Sequence, residues 1–505
     1  MFSSLAKTFI LMKRLPILFL FFLMIFPTVN AQITLRLNLE EAVRIGQQQS
    51  PNARIAGLQL DAARYDYIAF QAQYKPRIGL SGEVPGLNRS IQSYLNGDGS
   101  YSFINQRNFF SSLTLQIRQQ IPLTGGFMFI SSGLSNRINL DQNLPPSLRG
   151  SSWSSSPLSI GFFQPLFQLN TVKWDRTEEA VRFKLSQITY TEAMEDVAVT
   201  ITRTYFNALT AYLNMERAQF NAASNDTIYE ISKGRFGVGK IAENELLQSE
   251  LNLMNAQANF ESAELAYIRA LAELRTQLNL PREQLIQLVV PNEYPEFSID
   301  PDFAVTQAMT YSRLNHENQL NRVQARRSLA QAKRNNGFTA DINARFGLNS
   351  TGNKFSESYA NLTDQESINI SLDIPIFQWG RGKAQVDAAR ARQKSEQERI
   401  MLSERSFRDD VIYQVGQVKQ LRRQLRIATR SDTVAQKRYD ISKNRYLVGK
   451  ISIQDLFIAQ RDKDDAQRAF VATLSDYWVA VAQLRSMTLF DFEEMKPVIR
   501  VEMEK

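Results

Sequence analysis

The polar and apolar positions along this chain change period several times, and they do so in the same order twice. From 39 to 74 the apolar residues recur at helical spacing among alanines and charges, with Pro51 the only internal proline. From 77 to 164 the texture turns to Gly, Ser, Asn and aromatics, and the period drops to two. The stretch 78 to 84 alternates, as do Leu113-Thr-Leu-Gln-Ile-Arg118 and Leu158-Ser-Ile-Gly-Phe162. A helical pattern follows from 171 to 236, pauses at a glycine-containing break at 237–241, and resumes to 280. The second round runs as a helix over 303–334, alternating strands over 339–374, a long helix over 381–446, a break at 447–451 and a helix to 488.

The alternation is cleanest in the second round. Ala340, Ile342, Ala344, Phe346 and Leu348 fall on one face, with Asp341, Asn343, Arg345, Gly347 and Asn349 on the other; 368–374 behaves likewise. Strands of about 9 to 11 residues with one apolar and one polar face are the pattern of a transmembrane barrel, because a bilayer requires every backbone group to be paired within a closed sheet. Two such strands cannot close a barrel, nor can four, so several copies of the chain must pool them. Phe162, Phe163, Phe167 and Trp174, with Phe377 and Trp379 at the matched place, gather at strand ends, either as an interfacial belt or as a hydrophobic plug.

The helix lengths add geometry. About 65 residues rise about 98 Å at 1.5 Å each, far beyond a globular helix. The return path of each hairpin is shorter, and the opening helix of each round makes up the difference, giving an elongated array of antiparallel coiled-coil helices. On the helices alone a structural periplasmic coiled-coil protein or a surface adhesin fits as well; the strands favour a channel.

One constant offset of 210 positions lays Tyr229-Glu-Ile-Ser-Lys-Gly-Arg-Phe-Gly-Val-Gly-Lys-Ile241 onto Tyr439-Asp-Ile-Ser-Lys-Asn-Arg-Tyr-Leu-Val-Gly-Lys-Ile451, and pairs Pro165, Phe167 and Gln168 with Pro375, Phe377 and Gln378. The chain thus divides into a first structural repeat at 32–290, a linker at 291–300 holding Pro291 and Pro295, a second repeat at 301–495 and a tail at 496–505. Between its first and last strand segments the first repeat carries about fifty residues more than the second, expected as an extra hairpin or a long external loop.

Residues 1–31 read as a signal peptide: Lys7, Lys13 and Arg14 precede an apolar run over 17–26, and Val29-Asn30-Ala31 fits cleavage before Gln32. No later segment reaches 18 consecutive apolar residues, so a helical anchor is not expected and any bilayer contact falls to strands. The absence of cysteine excludes disulfides, thiolate metal sites, cysteine nucleophiles and a lipid on cysteine. The formal charge of +8 falls to +5 without the three cations of the leader, too dilute over this length to indicate nucleic acid.

With the duplication, the strand segments and the leader in place, the chain resembles the TolC family of outer-membrane efflux proteins over essentially its mature length. The resemblance is carried by Leu39-Glu-Glu-Ala42, by Pro375-Ile-Phe-Gln-Trp-Gly-Arg-Gly382, and by the paired tips Arg235-Phe-Gly-Val-Gly239 and Arg445-Tyr-Leu-Val-Gly449. It implies a mainly α protein with transmembrane β-strands, a homotrimer sharing one β-barrel of four strands per protomer, twelve in all, in the outer-membrane lipid. An α-helical tunnel would descend into the periplasm. It also implies the exit duct of a tripartite efflux or type I secretion system, reached by a periplasmic adaptor (membrane fusion protein) and through it an inner-membrane pump. The adaptor-docking tips are then Arg235, Val238, Gly239, Lys240, Arg445, Val448, Gly449 and Lys450, with the two lysines departing from the common residue. A periplasmic iris is assigned to Tyr446 and Asp455, with Glu245 the counterpart of Asp455, while Ile451 and Ile458 stand where an arginine and a second aspartate would add to the constriction.

No nucleotide loop, metal-ligand cluster or catalytic triad is legible, so no catalytic, cofactor-binding or metal residues are assigned and the chain is not expected to be an enzyme. The sole histidine, His316, reads as solvated or interfacial. Drug, metal and protein exporters of this family share the duct, so the substrate is not legible.

Overall fold

The computed structural model describes residues 34–95, 97–140, 150–291 and 298–500, without the side chains of 92, 94 and 104–106. The leader at 1–31, part of the linker and the end of the tail lie outside the described residues. In chain order the elements are β1 (Leu35–Leu37), α1 (Leu39–Gln49), α2 (Pro51–Ala72), β2 (Arg77–Leu95), β3 (Tyr101–Ile121), β4 (Gly126–Asn139), β5 (Gly150–Leu166), α3 (Thr171–Gly237), α4 (Glu243–Leu278), β6 (Ile286–Leu288), α5 (Pro301–Tyr311), α6 (Arg313–Asn335), β7 (Thr339–Gly352), β8 (Thr363–Asp373), α7 (Arg381–Leu447), α8 (Ile453–Thr488), β9 (Phe490–Asp491) and β10 (Lys496–Pro497). Residues up to Ser50 with Ile201–Tyr294 make one compact unit, and Pro51–Thr200 with Pro295 onward make the other.

The helices repeat to the residue: Thr171 and Arg381 start helices of 67 residues each, and Glu243 and Ile453 start helices of 36. Both pairs of starts are 210 positions apart. The opening elements are spaced differently, since Leu39 and Pro301 are 262 positions apart, as are Arg77 and Thr339. The 52 extra residues therefore lie within the strands of the first round. Counting from both ends matches β2 to β7 and β5 to β8, which leaves β3 and β4 as the inserted pair.

The opening stretch 39–74, expected as one helix, is two. Ser50 (φ −61°, ψ 151°) ends α1 and precedes Pro51, which disfavours helical geometry in the residue before it and occupies the first position of α2. Ser312 breaks the second round at the matched place with φ −66° and ψ 157°, without a following proline.

In the unit containing α1 and α4, Leu37, Tyr205, Phe206, Leu209, Leu274 and Leu278 are fully buried. β1 pairs in parallel with β6, Leu35 opposite Ile286 and Leu37 opposite Leu288. The Tyr205 hydroxyl shares its one proton between the Leu37 carbonyl at 3.1 Å and the Val289 carbonyl just after β6, fastening this strand pair to α3. Burial pushes this phenol up to about 12.

In the other unit α7 packs along α8 through Val411, Val415, Leu425, Leu456, Leu474, Tyr477 and Leu484, all buried. Gln414 donates across this core to the Ala480 carbonyl at 2.9 Å. The buried Glu195 forms an ion pair with Arg485 at 2.9 Å and accepts from Arg500 at 2.5 Å, so residue 500 of the tail is held by an ion pair. His316, expected to be solvated or interfacial, is 8% exposed in α6. Its Nδ1 has no hydrogen-bond partner among the described residues.

Six strands form one antiparallel sheet in the order β2-β3-β4-β5-β7-β8. The irregularities in its ladders coincide with prolines, and the shift between Ser131 and Gly133 on β4 faces the same Pro157 as the one on β7. The register shifts between Glu83 and Gly86, around Pro85, and between Ser155 and Leu158, around Pro157. Proline has no N–H to give a ladder, so it is accommodated where a bulge relieves the pairing.

Candidate functional site: the helical tips and the strand wall

At the first tip the Lys240 N–H donates to the Arg235 carbonyl at 2.9 Å and the Gly239 N–H to the Phe236 carbonyl at 2.8 Å. At the second, Lys450 donates to Arg445 at 2.9 Å and Gly449 to Tyr446 at 2.8 Å. This pair of bonds is the Schellman termination, which needs a left-handed residue after the helix. Gly239 (φ +71°) and Gly449 (φ +75°) supply it. The same turn built twice leaves Val238 69% and Val448 67% exposed, with Lys240 and Lys450 exposed beside them. The tip residues named from the sequence thus share one conformation.

The residues assigned to an iris sit differently from one another. Tyr446 is 4% exposed, its ring buried within the chain. Asp455 is exposed but engaged: its carboxylate accepts from the Ser452 N–H at 3.2 Å and hydroxyl at 2.8 Å, and its own N–H donates to Ser452 Oγ at 3.1 Å. That is a capping box at the start of α8, legible in the sequence as Ser-x-x-Asp. Glu245 has no such arrangement, because the cap before α4 is Ala242, which offers no side-chain acceptor. Arg445, Ile451, Asp455 and Ile458 line one groove of about 530 Å³ together with Val434 and Ile441.

The strand wall has two unlike faces. Following the register, Ile78, Ile117, Ile130, Ile160 and Phe346 make one row across five strands, and Ile342 pairs with Ile370 to carry the apolar face onto the sixth. Most of these side chains are exposed in the single chain, Ile78 by 68% and Ile370 by 62%. The opposite face carries Ser81, Thr114, Gln116, Ser131, Ser159, Asn343 and Asn369. Aromatics interrupt the polar face at one spot: Phe127 stacks on Phe163 at 5.2 Å, the Arg118 guanidinium lies 3.6 Å from the Phe127 ring, and Arg345 lies 5.4 Å from Phe129. Phe129 packs against Gly161, where a Cβ would come within 2.1 Å of the ring. Phe162 and Phe163, grouped by position in the sequence, therefore part to opposite faces. At the strand-to-helix junction Phe377 and Trp379 meet edge to face at 4.6 Å and stay 70% and 89% exposed.

No helix among the described residues is long and apolar enough to cross a membrane, and no group of potential metal ligands is found among them. The family model for outer membrane efflux proteins matches residues 45–280 and 313–488. No curated protein matches the chain. Among solved structures the chain is similar to the Campylobacter jejuni CmeC outer membrane channel, at 16% identity over 92% of this chain and 87% of that one, with a TM-score of 0.65. It is similar to the Vibrio cholerae outer membrane protein VceC at 14% identity over 91% and 96%, with a TM-score of 0.64. The open state of the Neisseria gonorrhoeae MtrE outer membrane channel aligns at 16% identity over 92% and 91%, with a TM-score of 0.61. Identities this low carry the fold, and the family model, which spans most of the chain, carries the rest. The chain belongs to the outer membrane efflux protein family, as a TolC-like exit duct of the outer membrane.

Proposed function

We propose that three copies of the chain pool their sheets into one outer-membrane barrel and their helices into a tunnel that runs into the periplasm. The two tips of each copy form the periplasmic entrance and dock a periplasmic adaptor, which links the duct to an inner-membrane pump that supplies the energy. Conduction through the duct itself is passive, in keeping with a family of channels and not of enzymes. Tyr446, Asp455 and Glu245 form the iris: three buried Tyr446 rings fasten the second hairpins in their closed positions, and three Asp455 carboxylates face the entrance and favour cations over anions.

The observation that carries this reading is the identical turn at both tips, each presenting an exposed valine flanked by an arginine and a lysine. Two equal apolar knobs per copy give a helical partner six equivalent places to pack around a trimer. A structural coiled-coil protein or adhesin would have no use for the apolar outer rows of the sheet.

The test is a Val238→Asp, Val448→Asp double variant in cells expressing an adaptor and pump of the same organism. The expected result is a trimer in detergent-extracted outer membrane, as for the unmodified protein, with cross-linking to the adaptor lost. Unchanged cross-linking would move the docking surface away from the tips, and recovery of the unmodified protein as a monomer would end the trimeric reading.

A further inference from the structure

We infer that the inserted hairpin β3–β4 is part of the barrel wall and that the free edge of β8 pairs with the free edge of β2 in the next copy. Three copies of a six-stranded sheet then close as eighteen strands, in place of the twelve that four per copy would give. The inference rests on the trimeric duct proposed above and specifies the surface through which its copies join.

The placement of β3 and β4 follows from the ladder. Counting from both ends assigns the 52 extra residues to these two strands, yet they do not loop away from the sheet. β3 pairs with β4 without a break from Asn108 opposite Asn139 to Ile121 opposite Gly126, and they separate β2 from β5 completely. Their apolar residues continue the outer rows: Leu80 is opposite Leu115, and Ile117 is opposite Ile130, which is opposite Ile160. Were this hairpin outside the wall, Leu115, Ile117 and Ile130 would have no bilayer to face, and the hydrogen-bonding edges of β2 and β5 would be left open within one chain.

The seam follows from the two ends of the sheet. Among the described residues β2 and β8 are the two strands of this sheet with one neighbour each, and a long unpaired edge in a bilayer is untenable. Six is an even number, so strand direction alternates across the sheet and β8 meets the next copy's β2 antiparallel, like every pair within the chain. The edges also differ in charge. β8 carries Asp364, Glu366 and Asp373 and no cation, while β2 carries Arg77 and Arg89 against a single Glu83. β2 begins with Arg77 and β8 ends with Asp373, which places both on the polar face at the same end of the sheet, each exposed in the single chain. Among the described residues no ion pair within the chain involves Arg77, Arg89, Asp364, Glu366 or Asp373. A second copy answers the geometry, the direction and the charge of each edge. Because barrel diameter grows roughly linearly with strand number, the lumen within the membrane is about half again as wide as a twelve-stranded one.

The experiment is an image reconstruction of the unmodified protein extracted from outer membrane in detergent, with the strands of the wall counted. A trimer with eighteen strands, β3 and β4 among them, is the expected result. A trimer with twelve wall strands and β3–β4 lying in the lumen or outside would overturn the inference and leave the duct reading standing; a monomer would overturn both. The seam is checked separately, since the chain has no cysteine of its own. Ser81→Cys is combined in turn with Ser367→Cys, Asn369→Cys, Ser371→Cys and Asp373→Cys, all on the polar face. Oxidation is expected to produce covalent dimers and trimers at one of these registers, because a disulfide forms only where the Cα atoms come within about 7 Å. Trimers that stay unlinked in all four would place β8 against a different strand.

Discussion

Single side chains in this protein do work that their type alone would not announce. The Tyr205 hydroxyl is fully buried and ties β1 and β6 to α3. Tyr205→Phe is expected to lower stability by about 1 kcal/mol, the ordinary net worth of a buried hydrogen bond, because the half-buried Val289 carbonyl regains water. Chemical denaturation that shows no change would place the anchoring in the ring alone. His316 is the clearer pH reporter. Burial, with Lys184 nearby, holds its imidazole below the ordinary 6.5, so the folded chain binds this proton less readily than the unfolded chain does. Above about pH 7 both states are neutral at this site and it contributes nothing. As pH falls through 6.5 toward the lowered folded value, the unfolded chain gains a proton that the folded chain refuses, and stability declines. The melting temperature of the unmodified protein should therefore fall more between pH 8 and pH 5.5 than that of His316→Gln. Equal falls would assign the acid sensitivity to carboxylates.

At the scale of elements, the sheet and the helices take their faces from different partners. In the sheet, Ile342 opposite Ile370 marks the apolar side and Asn343 opposite Asn369 the polar side. Ile370→Arg should cost roughly 2–4 kcal/mol near the bilayer midplane, whereas Asn369→Arg should be tolerated. Refolding titrations into lipid vesicles distinguish the two, and equal costs would mean that neither face meets lipid. Among the helices, α4 exposes Leu247, Leu251, Met254, Leu265 and Ile268 at the three-and-four spacing of a coiled-coil seam. Among the described residues the stripe has no partner covering it in the single chain.

For the whole molecule, the question is where the duct narrows. Tyr446→Phe should raise the conductance of the purified trimer in a planar bilayer by loosening the second hairpin. Asp455→Asn should mainly reduce cation preference, since asparagine keeps an acceptor for the Ser452 N–H and the cap of α8 survives. Unchanged conductance and selectivity in both would put the constriction elsewhere. The two long helical hairpins, the turn glycines and the strands over 78–84, 113–118, 158–162 and 340–349 were legible in the sequence, whereas the breaks at Ser50 and Ser312 in the opening helices were not. Each legible element is set by contacts a few residues apart, through helical or alternating period, capping and backbone freedom at glycine. The family, too, was legible, because the same local signals occur twice in one order. Only the tertiary structure decided that the extra residues enter the sheet as β3 and β4. The run Ser151–Ser156 is serine apart from Trp153 and does not alternate, so its register is imposed by neighbours on β4 and β7, not by its own pattern. The pairing of β1 with β6 likewise joins residues about 250 positions apart. The burial of His316 depends on what packs over its helix, and the capping box decides where the Asp455 carboxylate points. Local sequence determines which conformation a segment prefers; the partner that satisfies its faces, edges and polar atoms is fixed only when distant segments meet.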